Sequence, residues 1–178
     1  WSMRKSSLQP TRRFAGGFTI IELMVSLAIA AVLIGIALPA FNGFIAQRTL
    51  TTQVNDFVLA LKYARSEASR LGGTVSVQTI DATANGNEWG PGYCVVAGNP
   101  GNCNPPVLRA FAPVADATLD GTGGFNGVAT LTFNSRGLLT NGVVGSVQLC
   151  TTDVNQDPGR SVGLNLIGRT TMAELVCH

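Results

Sequence analysis

One long apolar block stands near the start of the chain, and shorter patterned segments follow it. From Phe18 to Leu38 the sequence reads FTIIELMVSLAIAAVLIGIAL, with Glu22 as its one charge. The block has no polar periodicity over its length, which argues against a buried helix of a soluble domain. As a helix its 21 residues would rise about 30 Å at about 1.5 Å each, which matches the hydrocarbon thickness of a bilayer. It is longer than the ~7–15-residue apolar region of a secretory signal, no small-residue cleavage site closes it, and it runs on through Pro39.

Pro39 and Gly43 then interrupt the pattern and predict a kink or local unwinding. Beyond them Val54, Phe57, Val58, Leu61, Ala64, Ala68 and Leu71 recur at three- and four-residue steps. Gln53, Asn55, Asp56, Lys62, Arg65, Ser66 and Arg70 fill the remaining positions, the signature of an amphipathic helix. Gly72-Gly73 closes it as a C-cap. After Gly73 the character changes: Thr74–Ile80 alternates, and the segments after it are rich in Val, Leu and Thr. Strands are predicted at Thr74–Ile80, Gly92–Ala97, Val107–Phe111, Val128–Phe133, Val143–Cys150, Ser161–Ile167 and Thr171–Cys177. Turn-forming runs separate them at Asn85-Gly86-Asn87, Gly98–Pro106, Asp120–Gly127 and Asp157-Pro158-Gly159, and Asn141-Gly142 between Leu138-Leu139 and Val143-Val144 predicts a hairpin. The fold class read from this pattern is α+β: a long N-terminal helix, apolar over 18–41 and amphipathic over 42–73, packed on an antiparallel β domain at 74–178.

Composition sharpens this picture. Of 178 residues 46% are hydrophobic and 12% charged, about half the usual charged share, which excludes disorder as the dominant state. The net charge of +2 is unevenly placed. Arg4, Lys5, Arg12 and Arg13 all lie in residues 1–17, with no acid, and the remaining eight cations face ten acids. The basic excess is therefore a topology signal and gives no support to a nucleic-acid partner. The positive-inside rule puts the N-terminus in the cytoplasm and everything after about residue 40 outside. Cys94, Cys103, Cys150 and Cys177 all fall on the outside portion, where disulfides persist. Three pairings are open; Cys94–Cys103, a short loop through Gly and Pro, and Cys150–Cys177, which would staple the C-terminal end, are favoured. Zinc is disfavoured, because no CxxC pair exists and the one histidine is His178. With no phosphate-binding loop, dinucleotide fingerprint or nucleophile motif and no usable histidine, neither an enzyme nor a bound cofactor or metal is expected.

Gly16-Gly17-Phe18-Thr19-Ile20-Ile21-Glu22 places a basic leader, a Gly, an aromatic residue and a Glu five residues into the span, in that order. This resembles the N-terminal signal of type IV pilins and of the pseudopilins of type II secretion. The resemblance implies that 1–17 is a leader, that a prepilin peptidase cuts between Gly17 and Phe18 on the cytoplasmic side, and that Phe18 is then N-methylated. It also makes 18–41 the transmembrane and filament-packing helix, with Pro39 where the family's helix carries a proline. Met3 is read as the natural start, with Trp1-Ser2 before it. The physics of Glu22 agrees with the resemblance. A carboxylate inside a bilayer costs at least about 2.5–3.5 kcal/mol and needs a partner. The nearest cation is the amine that cleavage would create at Phe18, so in a filament Glu22 could pair with that amine on a neighbouring subunit.

Later motifs narrow the resemblance to the FimT/GspH group. Ala64-Arg65-Ser66-Glu67-Ala68, Trp89-Gly90-Pro91-Gly92, Phe133-Asn134-Ser135-Arg136-Gly137 and Gly168-Arg169 resemble its helix, strand-entry, turn and C-terminal elements. Two branches follow: FimT/FimU-like minor pilins that prime type IV pilus assembly, and GspH-like minor pseudopilins of type II secretion. The paired cysteines and the lack of an obvious calcium loop favour the first. Some pilus members bind DNA in natural transformation through a G-R-x-R element. Here Gly168-Arg169-Thr170-Thr171 lacks the second arginine, which leaves Arg136, Arg160 and Arg169 as candidate phosphate contacts only if they converge. Trp89 and Tyr93 could stack on bases, with core packing the favoured role. The expected partners are other minor and major pilins or pseudopilins, the prepilin peptidase, the inner-membrane assembly platform, the lipid bilayer and, in the transformation reading, DNA. The expected location is the inner membrane, single-pass, with the β domain periplasmic, and then the pilus or pseudopilus tip.

Overall fold

The computed structural model describes residues 17–81, 86–104, 106–140, 142, 144–152 and 158–177, with backbone only at 39, 40, 42 and 158. Residues 1–16 of the expected leader, Asn85, Pro105, Asn141, Val143 and Asp157 of the expected turns and strands, and His178 at the end of the expected β domain lie outside the described residues. Helix α1 is Ile20–Leu71 and contributes to two units, one ending at Phe41 and the other running Asn42–His178. α1 is continuous through Pro39 and Gly43, so the local unwinding expected there does not occur.

In the first unit every described residue from Gly17 to Leu38 is exposed. In the second, the buried face of α1 is Leu50, Val54, Phe57, Val58, Ala60, Leu61, Ala64 and Ala68. Leu71, expected on this face, is instead 46% exposed, because the helix stops there. Gly72 takes a φ of +66°, and the Gly73 N–H donates to the Ala68 carbonyl at 3.3 Å. This is the glycine-closed C-cap that a side chain at Gly72 would strain.

Eight strands follow: β1 (Val75–Thr79), β2 (Tyr93–Ala97), β3 (Val107–Phe111), β4 (Ala117–Gly123), β5 (Thr130–Phe133), β6 (Gly145–Thr151), β7 (Pro158–Leu164) and β8 (Thr170–Val176). They form two antiparallel sheets, ordered β3-β2-β1-β5 and β4-β6-β7-β8. Three expectations change. Asp120–Gly127 is not all turn, because Ala117–Gly123 is a strand whose whole length pairs with β6. β7 begins at Pro158, where a turn was expected. The expected hairpin at Asn141-Gly142 does not join β5 to β6: β5 pairs with β1, β6 pairs with β4 and β7, and Leu139 bridges back to Phe133. The connection crosses from one sheet to the other.

Residues of both sheets and of α1 meet in one apolar cluster. Phe57 stands edge-on to Trp89 and Tyr93 at centroid distances of 5.4 and 5.3 Å, and Tyr93 stacks on Phe111 at 5.0 Å. The other face of β1 is covered too. Ser76 and Gln78 are buried polar residues, and both find partners in the loop that follows β2, Ser76 also meeting Thr132 Oγ1 of β5 at 2.9 Å. Ser76 Oγ bonds the Gly98 carbonyl at 2.6 Å, and Gln78 Nε2 donates to Asn99 Oδ1 at 3.0 Å. The Cys94–Cys103 disulfide closes that loop, which holds a partner for Ser76 Oγ and for Gln78 Nε2, while Gln78 Oε1 is buried with no hydrogen-bond partner among the described residues.

The second disulfide is Cys150–Cys177, and both pairs are those favoured above. It passes over β7 at Gly159, the residue opposite both Cys150 and Leu175. A Cβ on Gly159 would collide with Cys177 Sγ. We expect Gly159→Ala to leave Cys150 and Cys177 as free thiols in unreduced protein and to lower stability by about 3 kcal/mol, the scale of a lost cross-link closing a loop of this size. Thiol titration with and without denaturant, beside a urea melt, checks both; an intact disulfide in the variant would refute this account of Gly159.

Candidate functional site

The N-terminal segment is built from the helix start. Thr19 caps α1: its Oγ1 accepts the Glu22 N–H at 3.2 Å, and its carbonyl accepts the Leu23 N–H at 3.2 Å. Glu22 thus stands at the third helical position, where the positive end of the helix dipole favours a carboxylate. The Thr19-x-x-Glu22 spacing is that of a capping box. It was available in the sequence but was overshadowed by the membrane reading of Glu22. Gly17 and Phe18 precede the cap, and Phe18 is 77% exposed. From Ile20 onward the helix is apolar on all sides and uncovered to Leu38. It is long and apolar enough to cross a membrane. A helix apolar all round is stable only when lipid or other apolar helices cover it.

The cationic candidates lie in the other unit. Arg136 sits in a turn whose Asn134 Oδ1 accepts the N–H groups of Arg136 and Leu138 at 2.9 and 3.1 Å, with Gly137 at φ +72°. Arg169 closes a turn of the same build: Asn165 Oδ1 accepts the Arg169 N–H at 2.9 Å, with Gly168 at φ +71°. The two turns, one from each sheet, abut. A Cβ on Gly168 would sit 2.6 Å from the Gly137 carbonyl oxygen, and the Leu139 N–H donates to the Leu166 carbonyl at 2.9 Å. Arg65 of α1 lies against both turns and donates from Nη1 to the Gly168 carbonyl at 3.1 Å.

The turns that carry Arg136 and Arg169 are thus brought together, with Arg65, which the sequence reading left on the solvent face of the helix, packed against both. All three are exposed, and among the described residues none has a carboxylate partner. Arg160 does not join them. It lies on β7, half-buried, and pairs with Glu174 of β8 at 2.7 Å. Trp89 and Tyr93 are 0% and 2% exposed and cannot stack on a base. Burial, with the charge of Asp56 added, also raises the Tyr93 phenol well above its ordinary value, so it stays neutral. Among the described residues no group of three or more His, Cys, Asp or Glu side chains could hold a metal.

Comparison with known proteins accounts for both regions. Residues 53–168 match the family model of type II transport protein GspH, and residues 12–38 match that of the prokaryotic N-terminal methylation motif. No curated protein matches the chain. Two crystal forms of the type IV minor pilin FimU of Pseudomonas aeruginosa share the fold. Each is 23% identical, with TM-scores of 0.59 and 0.57, covering 73% and 70% of this chain and 92% of theirs. The minor pseudopilin EpsH of the Vibrio cholerae type 2 secretion system is 15% identical with a TM-score of 0.50, covering 70% of this chain and 95% of its own. The chain therefore belongs to the GspH family and is a type IV pilin-like minor pilin or pseudopilin.

Proposed function

We propose that this chain is a minor pilin of a type IV pilus, a structural subunit that helps to prime the filament and performs no catalysis. The observation that carries the reading is the uncovered apolar helix headed by Gly17-Phe18 and Glu22. In this reading the chain enters the inner membrane with its N-terminus cytoplasmic and its β domain periplasmic. Prepilin peptidase cuts after Gly17 and methylates Phe18, and the assembly platform moves the subunit towards the filament tip. Burying Glu22 among apolar helices demands a cation, and the new amine of a neighbouring Phe18 supplies one, which sets the axial register. Pro39 leaves the Gly35 carbonyl without its helical donor, and a bend of the helix is placed there.

The alternative is a GspH-like minor pseudopilin of type II secretion, which the description of the matching family model favours. Supporting the pilus branch, FimU exceeds EpsH in both identity and TM-score. Loss of the gene separates the two: a pilus subunit costs surface pili and leaves exoprotein secretion intact, and a pseudopilin does the reverse.

A second reading, that the β domain contacts DNA, is supported by the abutting turns that carry Arg136 and Arg169, with Arg65 packed against both. Phosphate contacts add modestly one by one and weaken with salt, so a cluster is needed.

Two outcomes are expected from the first reading. Gly17→Ala should keep the leader attached, seen as a precursor-size band on a blot. Glu22→Ala should be processed normally yet enter sheared filaments at a small fraction of the wild-type amount, and normal incorporation would remove the register role of Glu22. For DNA, the Arg136→Ala/Arg169→Ala double variant should reduce the salt slope of oligonucleotide binding by about 2, and Arg160→Ala should leave it unchanged. No gel shift by the wild type at low salt would end that reading.

A further inference from the structure

Glu88 is a carboxylate that is only 3% exposed. It lies in the turn before β2, and both its oxygens are engaged by backbone. Oε2 accepts the N–H of Gly121, in β4, and Oε1 accepts the N–H of Gly127, in the connection after β4, each at 3.2 Å. The two bonds draw the end of β4 and the following turn onto one side chain. That turn seats Phe125, 1% exposed, in the core. Its ring packs so closely on Gly145 that a Cβ there would lie 2.7 Å from Phe125 Cγ. The residues flanking Glu88 are fixed to β4 as well. Asn87 Oδ1 accepts the Leu119 N–H at 2.7 Å, and the Trp89 N–H donates to the Leu119 carbonyl at 3.0 Å.

Asp120, between those β4 residues, hydrogen-bonds Glu88 through its side chain. Two carboxyls can share such a bond only if one carries a proton. Among the described residues no cation and no other titratable group acts on either, so once both are ionised only backbone N–H groups stand against their repulsion. Asp120 also lines a cleft of about 420 Å³ with Thr118, Gln148, Leu175 and Val176, so it can exchange protons with solvent.

We propose that Glu88 and Asp120 form a proton-operated latch: one shared proton holds the Gly123–Val128 turn closed over Phe125, and its loss leaves two adjacent anions that loosen the turn. The electrostatics agree in direction. Burial, then the hydrogen bond and charge of Glu88, lift Asp120 from its ordinary 3.8 to about 6. For Glu88 burial acts upward, but the bonds from Asp120 and from the backbone N–H groups outweigh it and the net shift is downward. A carboxyl raised in the closed state stabilises that state most below its ordinary value. The stabilisation is lost as pH rises from there through about 6.

The test is hydrogen exchange at the Gly127 amide of the full chain in detergent micelles, at pH 5 and pH 7.5, corrected for intrinsic exchange. The wild type should open about tenfold more often at the higher pH, the ratio that the shift of Asp120 implies. Asp120→Asn, which can still donate to Glu88 but cannot ionise, should stay closed and lose the pH dependence. Glu88→Gln, with one oxygen replaced by a donor, should be open at both. The Asp120 carboxyl carbon should titrate near 6 by NMR. Equal wild-type protection at the two pH values, a tenfold change retained in Asp120→Asn, or an Asp120 midpoint at its ordinary value would each overturn the latch.

Discussion

Phe57 couples the elements of the β domain to one another. Its ring meets Trp89 and Tyr93 edge-on, and Tyr93 in turn stacks on Phe111. A residue of the helix, one from the turn before β2 and one from each of β2 and β3 are thereby locked in a single aromatic contact set. Such pairs add roughly 0.5–1.5 kcal/mol each beyond the area they bury. The set also decides what three of its rings cannot do, because Phe57, Trp89 and Tyr93 are committed to the core and withdrawn from any recognition surface.

The same helix imposes two kinds of solvation. Residues 20–38 have no polar face and no cover, whereas from Leu50 the apolar positions fall on one stripe that the sheets bury. A membrane or a bundle of like helices can satisfy the first stretch, and the chain's own sheets satisfy the second. That division is what a subunit needs if it is stored in a bilayer and later built into a filament, since the covered part need not refold when the uncovered part changes its surroundings.

Much of this was legible in the sequence, and the failures have causes. The apolar block, the stripe from Val54 to Ala68 and the Gly72-Gly73 cap are local signals, and local physics decides them. Most strands followed from runs rich in Val, Leu and Thr between turn formers. β4 was lost because Asp120, Gly121 and Gly123 read as turn formers, whereas pairing with β6 along its full length overrides their weak strand preference. The Asn141-Gly142 signal was misread for the same reason in reverse: a local turn preference cannot say which sheet the next strand joins. Arg136 and Arg169 could be named from their turns, but the meeting of those turns at Arg65 depends on two sheets closing on one helix. The buried pairing of Glu88 with Asp120, 32 positions apart, left no local pattern to read.

The cystine that straddles β7 also constrains the order of events in the protein's making. Cys150 and Cys177 lie on either side of a strand that must already be seated, with its glycine beneath the sulfurs, before the bridge can close without trapping that strand outside the sheet. Oxidation is therefore a seal applied to a finished sheet. A subunit sealed too early would carry a covalent record of the error that unfolding alone could not erase.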